Sequence, residues 1–525
     1  MTQPSEQFYS KSTDANEAAS PRSSEGDTPD TARGALGLWD AVSIIVGIVV
    51  GAGIYQTAPF ILKNISNPTT AMITWAVGGL LSLIGALCYA ELATTYPRDG
   101  GDIVYLSRAF GNWVGFLFGW VQLSVILTGS IGMMAFVFAN YAARLWTGDS
   151  TTDLGPAATF GFAGGAVFVL TVTNILGVVF GKVVQNVLTF AKVIGLGAII
   201  LAGFYAPHPG AWSEQGLPLD DLKQLTFPFF TPSLGVALVL ILYTYGGWND
   251  AAFVAAEVRD GKKNITRSLI IGIVLITVLY MLVNAAYISG LGYQGAQRSR
   301  QVAADVLNHG FGKYGETTMC VLVMISALGA INGLIFTGAR VYSTIGKDYR
   351  VLSWMAGWNT RNATPVPALI TQGLITLGLI FLVGTGAGRD AMNTVIEFLG
   401  EKAGFSAIGF PKVEWGAKPY DAFDTLLSCT APVFWLFFLL TGLSLFVLRE
   451  RDKHIERPFK VPFYPELPII FCLTCGYMLY SSLDYALSRG WKGGLFLLGV
   501  VPLLAGLLLY RLAPGRNTPE TDSEI

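Results

Sequence analysis

The sequence predicts an all-α integral membrane protein with about twelve transmembrane helices. Of its 525 residues, 52% are hydrophobic and only 13% are charged, and the mean hydropathy is +0.52. A soluble fold could not bury that much apolar surface. Apolar stretches of roughly 18 to 28 residues also recur along the chain, and each is long enough to cross a hydrocarbon core of about 30 Å as a helix.

The apolar stretches divide the chain into one membrane domain and two short tails. The predicted spans are 38–62, 68–95, 113–143, 157–179, 183–206, 232–257, 267–291, 316–343, 365–384, 425–448, 464–485 and 492–511. Residues 1–35 lack an apolar run, so we expect a disordered tail, and residues 513–525 form the second tail. Residues 385–424 form an unusually long outer loop within the transmembrane domain 36–512, and we expect this loop to cover the outer vestibule.

The position of the basic residues predicts the orientation of the spans. Lys and Arg are in excess in the loops that face the cytoplasm when both termini lie inside, as the positive-inside rule requires. Their densest cluster comprises Arg449, Arg451, Lys453, Arg457 and Lys460. We therefore expect a multi-pass protein of the cell membrane, in contact with lipid, with cytoplasmic N- and C-termini. The 34 basic and 35 acidic residues nearly cancel, which gives no field that would recruit nucleic acid.

No arrangement of residues predicts an enzyme, a cofactor or a metal site. Nearly all of the five cysteines fall within apolar runs, so a disulfide framework is not expected. Cys472 and Cys475 form a C-x-x-C pattern, but they lie inside a span without a neighbouring strand or histidine. His208, His309 and His454 are scattered through loops.

Two spans contain glycine clusters at corresponding positions. The first span contains Gly51 and Gly53 followed by Pro59, and the sixth contains Gly246 and Gly247. The two spans lie five elements apart, which indicates two five-helix halves with spans eleven and twelve added outside the repeat. Interrupted helices at such positions indicate an inverted-repeat transporter with its site near the middle of the membrane.

The interrupted helices predict a ligand that carries both an anionic and a cationic group. Backbone groups freed at glycine cannot be satisfied by lipid, so they must face a cavity or a ligand. The amides after Gly53 suit a carboxylate, and the preceding carbonyls suit an ammonium group. An α-amino acid offers both. The alternative is that the glycines only allow close helix packing, which we favour for Gly47 with Gly51 alone.

Several motifs resemble a known transporter family. The first two are Val46-Gly-Ile-Val-Val-Gly-Ala-Gly-Ile-Tyr55 and Tyr245-Gly-Gly-Trp-Asn249, and the others lie at residues 89–92, 96–101, 253–257, 332–333, 340, 365–367 and 457–461. Together they resemble the L-type amino acid transporter branch of the amino acid, polyamine and organocation superfamily, over about residues 36 to 512. The resemblance implies a LeuT-type 5+5 inverted repeat and sodium-independent exchange of L-amino acids, most favourably neutral ones, by alternating access.

The resemblance also implies a set of substrate-binding residues. These are Val49, Gly51, Ala52, Gly53, Ile54, Tyr243, Gly246, Asn249 and Trp435. In that family the substrate carboxylate meets first-span amides, and its ammonium group meets carbonyls at the positions of Val49, Tyr243 and Gly246. Tyr243 corresponds to an aromatic gate over the substrate. Trp435 corresponds to an aromatic residue near the substrate side chain, although a lipid-interface role is equally open.

Two ionisable residues within spans are candidates for coupling. Lys192 stands amid apolar residues of the fifth span and should face a partner in the protein, unless it extends to the membrane surface. Close relatives in the family carry a lysine there, which resembles a fixed cation in place of the sodium of sodium-coupled relatives. Asp250 departs from the family pattern. It could select a second positive charge on the substrate, take part in proton coupling, or cap the resumed helix.

Two acids at span ends and one loop complete the predictions. Glu91 and Glu257 close the second and sixth spans, where ion pairs with Arg98, Arg259 or Arg340 and simple solvation are equally open. The outer loop of residues 144–156 lacks cysteine, so we expect no disulfide-linked heavy chain. The oligomeric state is left open.

The alternatives to exchange of neutral amino acids are a proton-coupled or cationic amino acid or polyamine carrier, and a transporter-like sensor or channel.

Overall fold

A computed structural model describes residues 36–51, 53–98, 100–147, 155–212, 232–299, 302–312, 314–402, 420–488 and 497–512. Within these residues the chain is helical throughout, apart from loops and two isolated β-bridges. Both predicted tails, Ala52 and residues 403–419 of the predicted outer loop lie outside the described residues.

The described chain contains nineteen α-helices. They are α1 (Leu38–Val49), α2 (Gly53–Gln56), α3 (Ala58–Lys63), α4 (Pro68–Thr95), α5 (Asp102–Phe110), α6 (Asn112–Val121), α7 (Leu127–Thr147), α8 (Gly155–Ile175), α9 (Val178–Tyr205), α10 (Pro232–Tyr245), α11 (Gly261–Leu291), α12 (Tyr293–Arg298), α13 (Val302–Phe311), α14 (Tyr314–Asp348), α15 (Val366–Gly384), α16 (Gly386–Lys402), α17 (Tyr420–Arg451), α18 (Glu466–Ser488) and α19 (Leu497–Leu512). A π-helical turn (Gln122–Ile126) joins α6 to α7, and 3-10 helices span Trp248–Glu257 and Arg350–Ala356.

Nine helical segments of the described chain are long and apolar enough to cross a membrane, and each coincides with a predicted span. The three remaining predicted spans, 38–62, 232–257 and 492–511, coincide with shorter helices in the described residues. The all-helical membrane architecture is therefore confirmed, whereas the count of twelve stays a prediction.

The first span is interrupted where its glycines lie. Helix α1 ends at Val49, and Val50 and Gly51 are not helical. The helix resumes at Gly53, and a further interruption at Thr57 separates α2 from α3. The sequence predicts a new helix start after Gly53, whereas Gly53 is already the first residue of the resumed helix, and its carbonyl accepts the Thr57 amide at 2.8 Å.

The sixth span is interrupted in the same manner. Helix α10 ends at Tyr245, Gly246 and Gly247 form a turn, and the chain continues as a 3-10 helix. Gly247 has φ +100°, which a residue with a side chain rarely adopts. A Cβ built there would lie 2.7 Å from Ile48 Cγ2, so the turn also lies directly against the end of α1.

The loop predicted between spans nine and ten is partly helical. Helix α16 occupies residues 386–402 of this loop and packs against α15. Its predicted role as an outer cover stays a prediction.

Candidate functional site

A cavity of about 110 Å³ lies where the two interrupted helices meet. It is lined by Ile48, Val49, Gly51, Gly53, Gln122, Ile126, Leu127, Ser130, Met134, Tyr243, Thr244, Gly246, Gly247, Asp250, Ala330, Leu334, Thr430, Ala431 and Phe434. Of the predicted substrate-binding residues, this set includes Val49, Gly51, Gly53, Tyr243 and Gly246. Both glycine clusters, which are about 200 residues apart in sequence, therefore face one space.

The interruption in the first span leaves backbone donors at the cavity. Within the described part of the chain, the amides of Gly53 and Ile54 have no hydrogen-bond acceptor. A backbone amide left without an acceptor in a dry interior costs free energy, so these groups require a ligand or water. Ile54 itself is fully buried, and only Gly53 lines the cavity.

The Val49 carbonyl does not fit the role that the resemblance implied. It accepts the Gly51 amide at 2.7 Å and lies 2.8 Å from the Tyr280 hydroxyl. A carbonyl oxygen has two lone pairs, so neither remains for an ammonium group in this conformation. The Tyr280 hydroxyl also lies 3.2 Å from the Thr244 carbonyl, and thereby joins the interrupted ends of both spans.

Lys192 reaches the same interruption from helix α9. Its Nζ donates hydrogen bonds to the carbonyl oxygens of Gly47 at 2.7 Å, Val50 at 2.8 Å and Ser326 at 3.0 Å. The side chain is fully buried, which excludes the alternative that it extends to the membrane surface. These contacts connect the fifth span, which carries Lys192, to the first span and to helix α14.

Of the sixth-span candidates Tyr243, Asn249 and Asp250, two line the cavity and the third lies behind it. Tyr243 lines the cavity, and its hydroxyl lies 3.3 Å from Met133 Sδ. Asp250 also lines the cavity and is 5% exposed. Asn249 is buried behind the cavity, where its amide nitrogen donates to Asp250 Oδ1 at 3.0 Å. Asn249 therefore orients Asp250 rather than lining the space itself.

Gln122 is a lining residue that the sequence reasoning missed. This residue begins the π-helical turn of the third span, is 3% exposed and lines the cavity. Its side-chain oxygen is buried and has no hydrogen-bond partner in the described chain. Such π-helical turns often mark functional sites. The signal available in the sequence is a glutamine inside an otherwise apolar span.

The predicted aromatic contact of the tenth span falls on the neighbouring residue. Trp435 does not line the cavity, whereas Phe434 does. Trp435 is 5% exposed and lines a smaller adjacent space of about 20 Å³, where it packs edge-on against Phe438. This burial also argues against the lipid-interface role for Trp435. Successive side chains of an α-helix point about 100° apart around its axis, so neighbouring residues such as these two face different surroundings.

Buried ion pairs lie at the ends of the second and sixth spans. Glu257 pairs with Arg340 at 2.7 Å, and both side chains are 1% exposed or less. Glu91, also fully buried, pairs with Arg449 and Arg457 and accepts the Val461 amide. The ion pair of Glu257 was among the predicted ones, whereas the arginines at Glu91 come from the basic cluster beyond the tenth span. Both acids are buried, so simple solvation is wrong for each.

The described residues contain no group of three or more His, Cys, Asp or Glu side chains that could hold a metal ion. All five cysteines, which include Cys472 and Cys475, carry free thiols.

Comparison with known proteins identifies the family. The family model described as amino acid permease matches residues 36–488. This chain belongs to the amino acid permease family. The permease is 28% identical over 491 residues to the b(0,+)-type amino acid transporter 1 of Mus musculus, and the match covers 91% of this chain and 87% of that protein. It is 29% identical over 476 residues to the large neutral amino acids transporter small subunit 2 of Oryctolagus cuniculus, which covers 88% and 78% of the two chains.

These matches confirm the resemblance to the L-type branch and the coarse function. The permease is a multi-pass membrane protein that transports amino acids, and it is not an enzyme. Its interrupted first and sixth spans and its helical architecture agree with the fold that the resemblance implied.

Proposed function

We propose that this permease exchanges neutral L-amino acids across the cell membrane by alternating access, without sodium. The observation that carries the proposal is the convergence of two interrupted helices on one cavity, which Gly53 lines. Among the described residues, neither the amide of Gly53 nor that of the adjacent Ile54 has an acceptor. These amides would bind the substrate carboxylate. Because the Val49 carbonyl is occupied, we assign the ammonium group to the turn at Gly246, whose backbone also lines the cavity.

The lining of the cavity supports a neutral side chain. Most of its side chains are apolar, and the largest are Tyr243, Phe434 and Met134. Burial of an apolar substrate side chain against them contributes about 25 cal/mol per Å² of area removed from water. Tyr243 stands at the turn of the sixth span and would act as the gate.

Lys192 supports transport without sodium. Its ammonium group occupies a position between carbonyl oxygens of the first span and α14, and donates a hydrogen bond to each of three of them. A hard cation such as sodium uses oxygen ligands of the same kind. We therefore infer that the lysine makes a bound sodium ion unnecessary.

Proteoliposomes provide the test of this function. Vesicles loaded with unlabelled L-leucine should take up radiolabelled L-leucine faster than empty vesicles, and equally fast in sodium and in choline buffer. Uptake that requires a sodium gradient would exclude the proposal. Uptake that is equal in loaded and empty vesicles would exclude exchange.

A second candidate is the exchange of cationic amino acids, and Asp250 favours it. Asp250 and Gln122 both line the cavity, and both carry acceptor oxygens. The side-chain oxygen of Gln122 has no hydrogen-bond partner among the described residues. A lysine side chain would supply donors for them, and a hydrogen bond to a charged group contributes about 1.5–3 kcal/mol. Asp250→Asn should then reduce lysine uptake about tenfold relative to leucine uptake. Wild-type permease that exchanges leucine but not lysine would exclude this candidate.

A further inference from the structure

Asp102 is a buried acid whose contacts are incomplete. It is the first residue of α5, in the connection between the second and third spans, and is 1% exposed. Its Oδ1 accepts the Tyr89 hydroxyl of α4 at 2.7 Å and the Thr441 hydroxyl of α17 at 2.6 Å. Its Oδ2 is also buried and has no hydrogen-bond partner in the described chain.

Three other acids near this end of the helices have arginine partners. Glu91 has Arg449, Glu257 has Arg340, and Asp452 has Arg108. For Asp102 the described residues provide no such ion pair. A buried carboxylate without a cation is costly, and protonation removes that cost. The lone Oδ2 is then the atom on which a proton would reside.

The surroundings of Asp102 connect it to the cavity. Its partner Tyr89 packs edge-on against Trp248, with ring centroids 5.2 Å apart, and Trp248 begins the 3-10 helix that carries Asp250. The connection that precedes α5 contacts the same 3-10 helix, because the Gly100 amide donates to the Phe253 carbonyl at 3.3 Å. A change in the contacts of Asp102 therefore reaches the half of the sixth span that follows its interruption.

We propose that Asp102 is a proton-binding site that holds α4, α5 and α17 together in its protonated form and loosens them when it ionises. The proton comes from water at the membrane surface next to α5 and forms an O–H bond on Oδ2, and no other bond changes. The ionised form draws water to the carboxylate, since a buried charge without a partner gains hydration. Exchange by the permease then depends on the pH at this side of the membrane.

The titratable neighbours of Asp102 support this assignment. They are Tyr89 on α4, Tyr105 on α5 and Asp250 on the 3-10 helix, and none of them is basic. Burial raises the pKa of Asp102 to about 6, while the hydroxyls of Thr441 and Tyr89 oppose the rise. The site therefore titrates within the physiological range.

Infrared difference spectroscopy of the purified permease tests proton binding directly. Between about pH 5 and pH 7 the wild-type protein should show a protonated-carboxyl band with a midpoint near pH 6. Asp102→Asn should remove this band. Asp452→Asn is the matched control, because Asp452 also accepts a tyrosine hydroxyl, from Tyr96, but is paired with Arg108 and should already be ionised. A spectrum without a titrating band, or a band that survives Asp102→Asn, would overturn the proposal.

A second variant keeps the test decisive if Asp102→Asn does not fold. Thr441→Val removes one hydrogen bond from the carboxylate, and hydrogen bonds to the charged form favour ionisation. The midpoint of the band should therefore move to higher pH. A midpoint that stays in place would show that the titrating group is not Asp102.

Exchange measurements test the functional consequence. Wild-type proteoliposomes that exchange radiolabelled L-leucine should change their rate severalfold across the midpoint, whereas Asp102→Asn should exchange at one rate throughout. A wild-type rate that does not depend on pH would overturn the link to transport. Because the infrared experiment needs no substrate, failure of leucine exchange in every variant would contradict the proposed function and leave proton binding to be decided by the band.

Discussion

Replacement of Lys192 by methionine tests whether this lysine stabilises the interrupted backbone of the first span. Methionine keeps an unbranched apolar stem of similar length, and the variant removes the ammonium group. In the wild type, Nζ makes three hydrogen bonds to carbonyl oxygens. In the variant, the Val50 carbonyl keeps its hydrogen bond from the Ser326 hydroxyl, which lies at 2.9 Å. The Gly47 carbonyl loses its donor, because the amide that would bond it in a continuous helix, that of Gly51, donates to Val49.

The expected loss follows from these contacts. Three charge-assisted hydrogen bonds contribute about 1.5–3 kcal/mol each, and an unsatisfied buried carbonyl costs about 1–3 kcal/mol. Relief of the cost of keeping a lysine within the membrane, about 2.5–3.5 kcal/mol, offsets part of this. The net loss is about 2–9.5 kcal/mol for the arrangement of residues 47–53. Each 1.4 kcal/mol corresponds to about tenfold, so exchange should fall at least about tenfold.

The assay is homo-exchange of radiolabelled L-leucine at equal reconstituted amounts, together with the thermal unfolding temperature in detergent. Lys192→Met should insert and purify like the wild type, unfold at a lower temperature and exchange slowly. Lys182→Met is the control on the same helix. Lys182 pairs with Asp40 at 3.2 Å and is 24% exposed, so its loss should cost about 1 kcal/mol or less. Exchange at the wild-type rate by Lys192→Met would refute the reasoning.

Three further predictions concern single contacts. Glu257→Gln leaves the buried Arg340 guanidinium without its anion, so the free energy of unfolding should fall by about 3–5 kcal/mol. The measurement is the unfolding temperature, which should decrease. An unchanged temperature would contradict a buried pair. Gly247→Ala places a methyl group against Ile48 at a residue with φ +100°. Leucine exchange should therefore be lost, while the protein still inserts into the membrane. Exchange at the wild-type rate would show that this turn is not required. Burial opposes ionisation of Asp452, but the hydrogen bond from Arg108 prevails and lowers its pKa. Its contribution to stability is therefore complete above about pH 4 and is lost as pH falls through the lowered pKa, so the unfolding temperatures of the wild type and Asp452→Asn should converge only in acid. A constant difference at all pH values would contradict this.

The sequence was sufficient to predict the architecture. Nine predicted spans coincide with long apolar helices, because a helix that faces lipid must be apolar over a fixed length. The same reasoning located both interrupted spans, because paired glycines inside a lipid-length segment let the backbone leave helical geometry at low cost. The family was also evident from the motifs at those clusters.

The tertiary structure decided which side chains face the cavity. It brought in Gln122 and Phe434, moved Asn249 and Trp435 behind the surface, and placed Arg449 rather than a nearby loop arginine on Glu91. It also placed the Tyr280 hydroxyl on the Val49 carbonyl that the resemblance reserved for substrate. The hydropathy of a span predicts that it crosses the membrane, but it does not predict which side chains face the cavity. The direction of each side chain depends on how its helix is rotated and packed against helices distant in sequence.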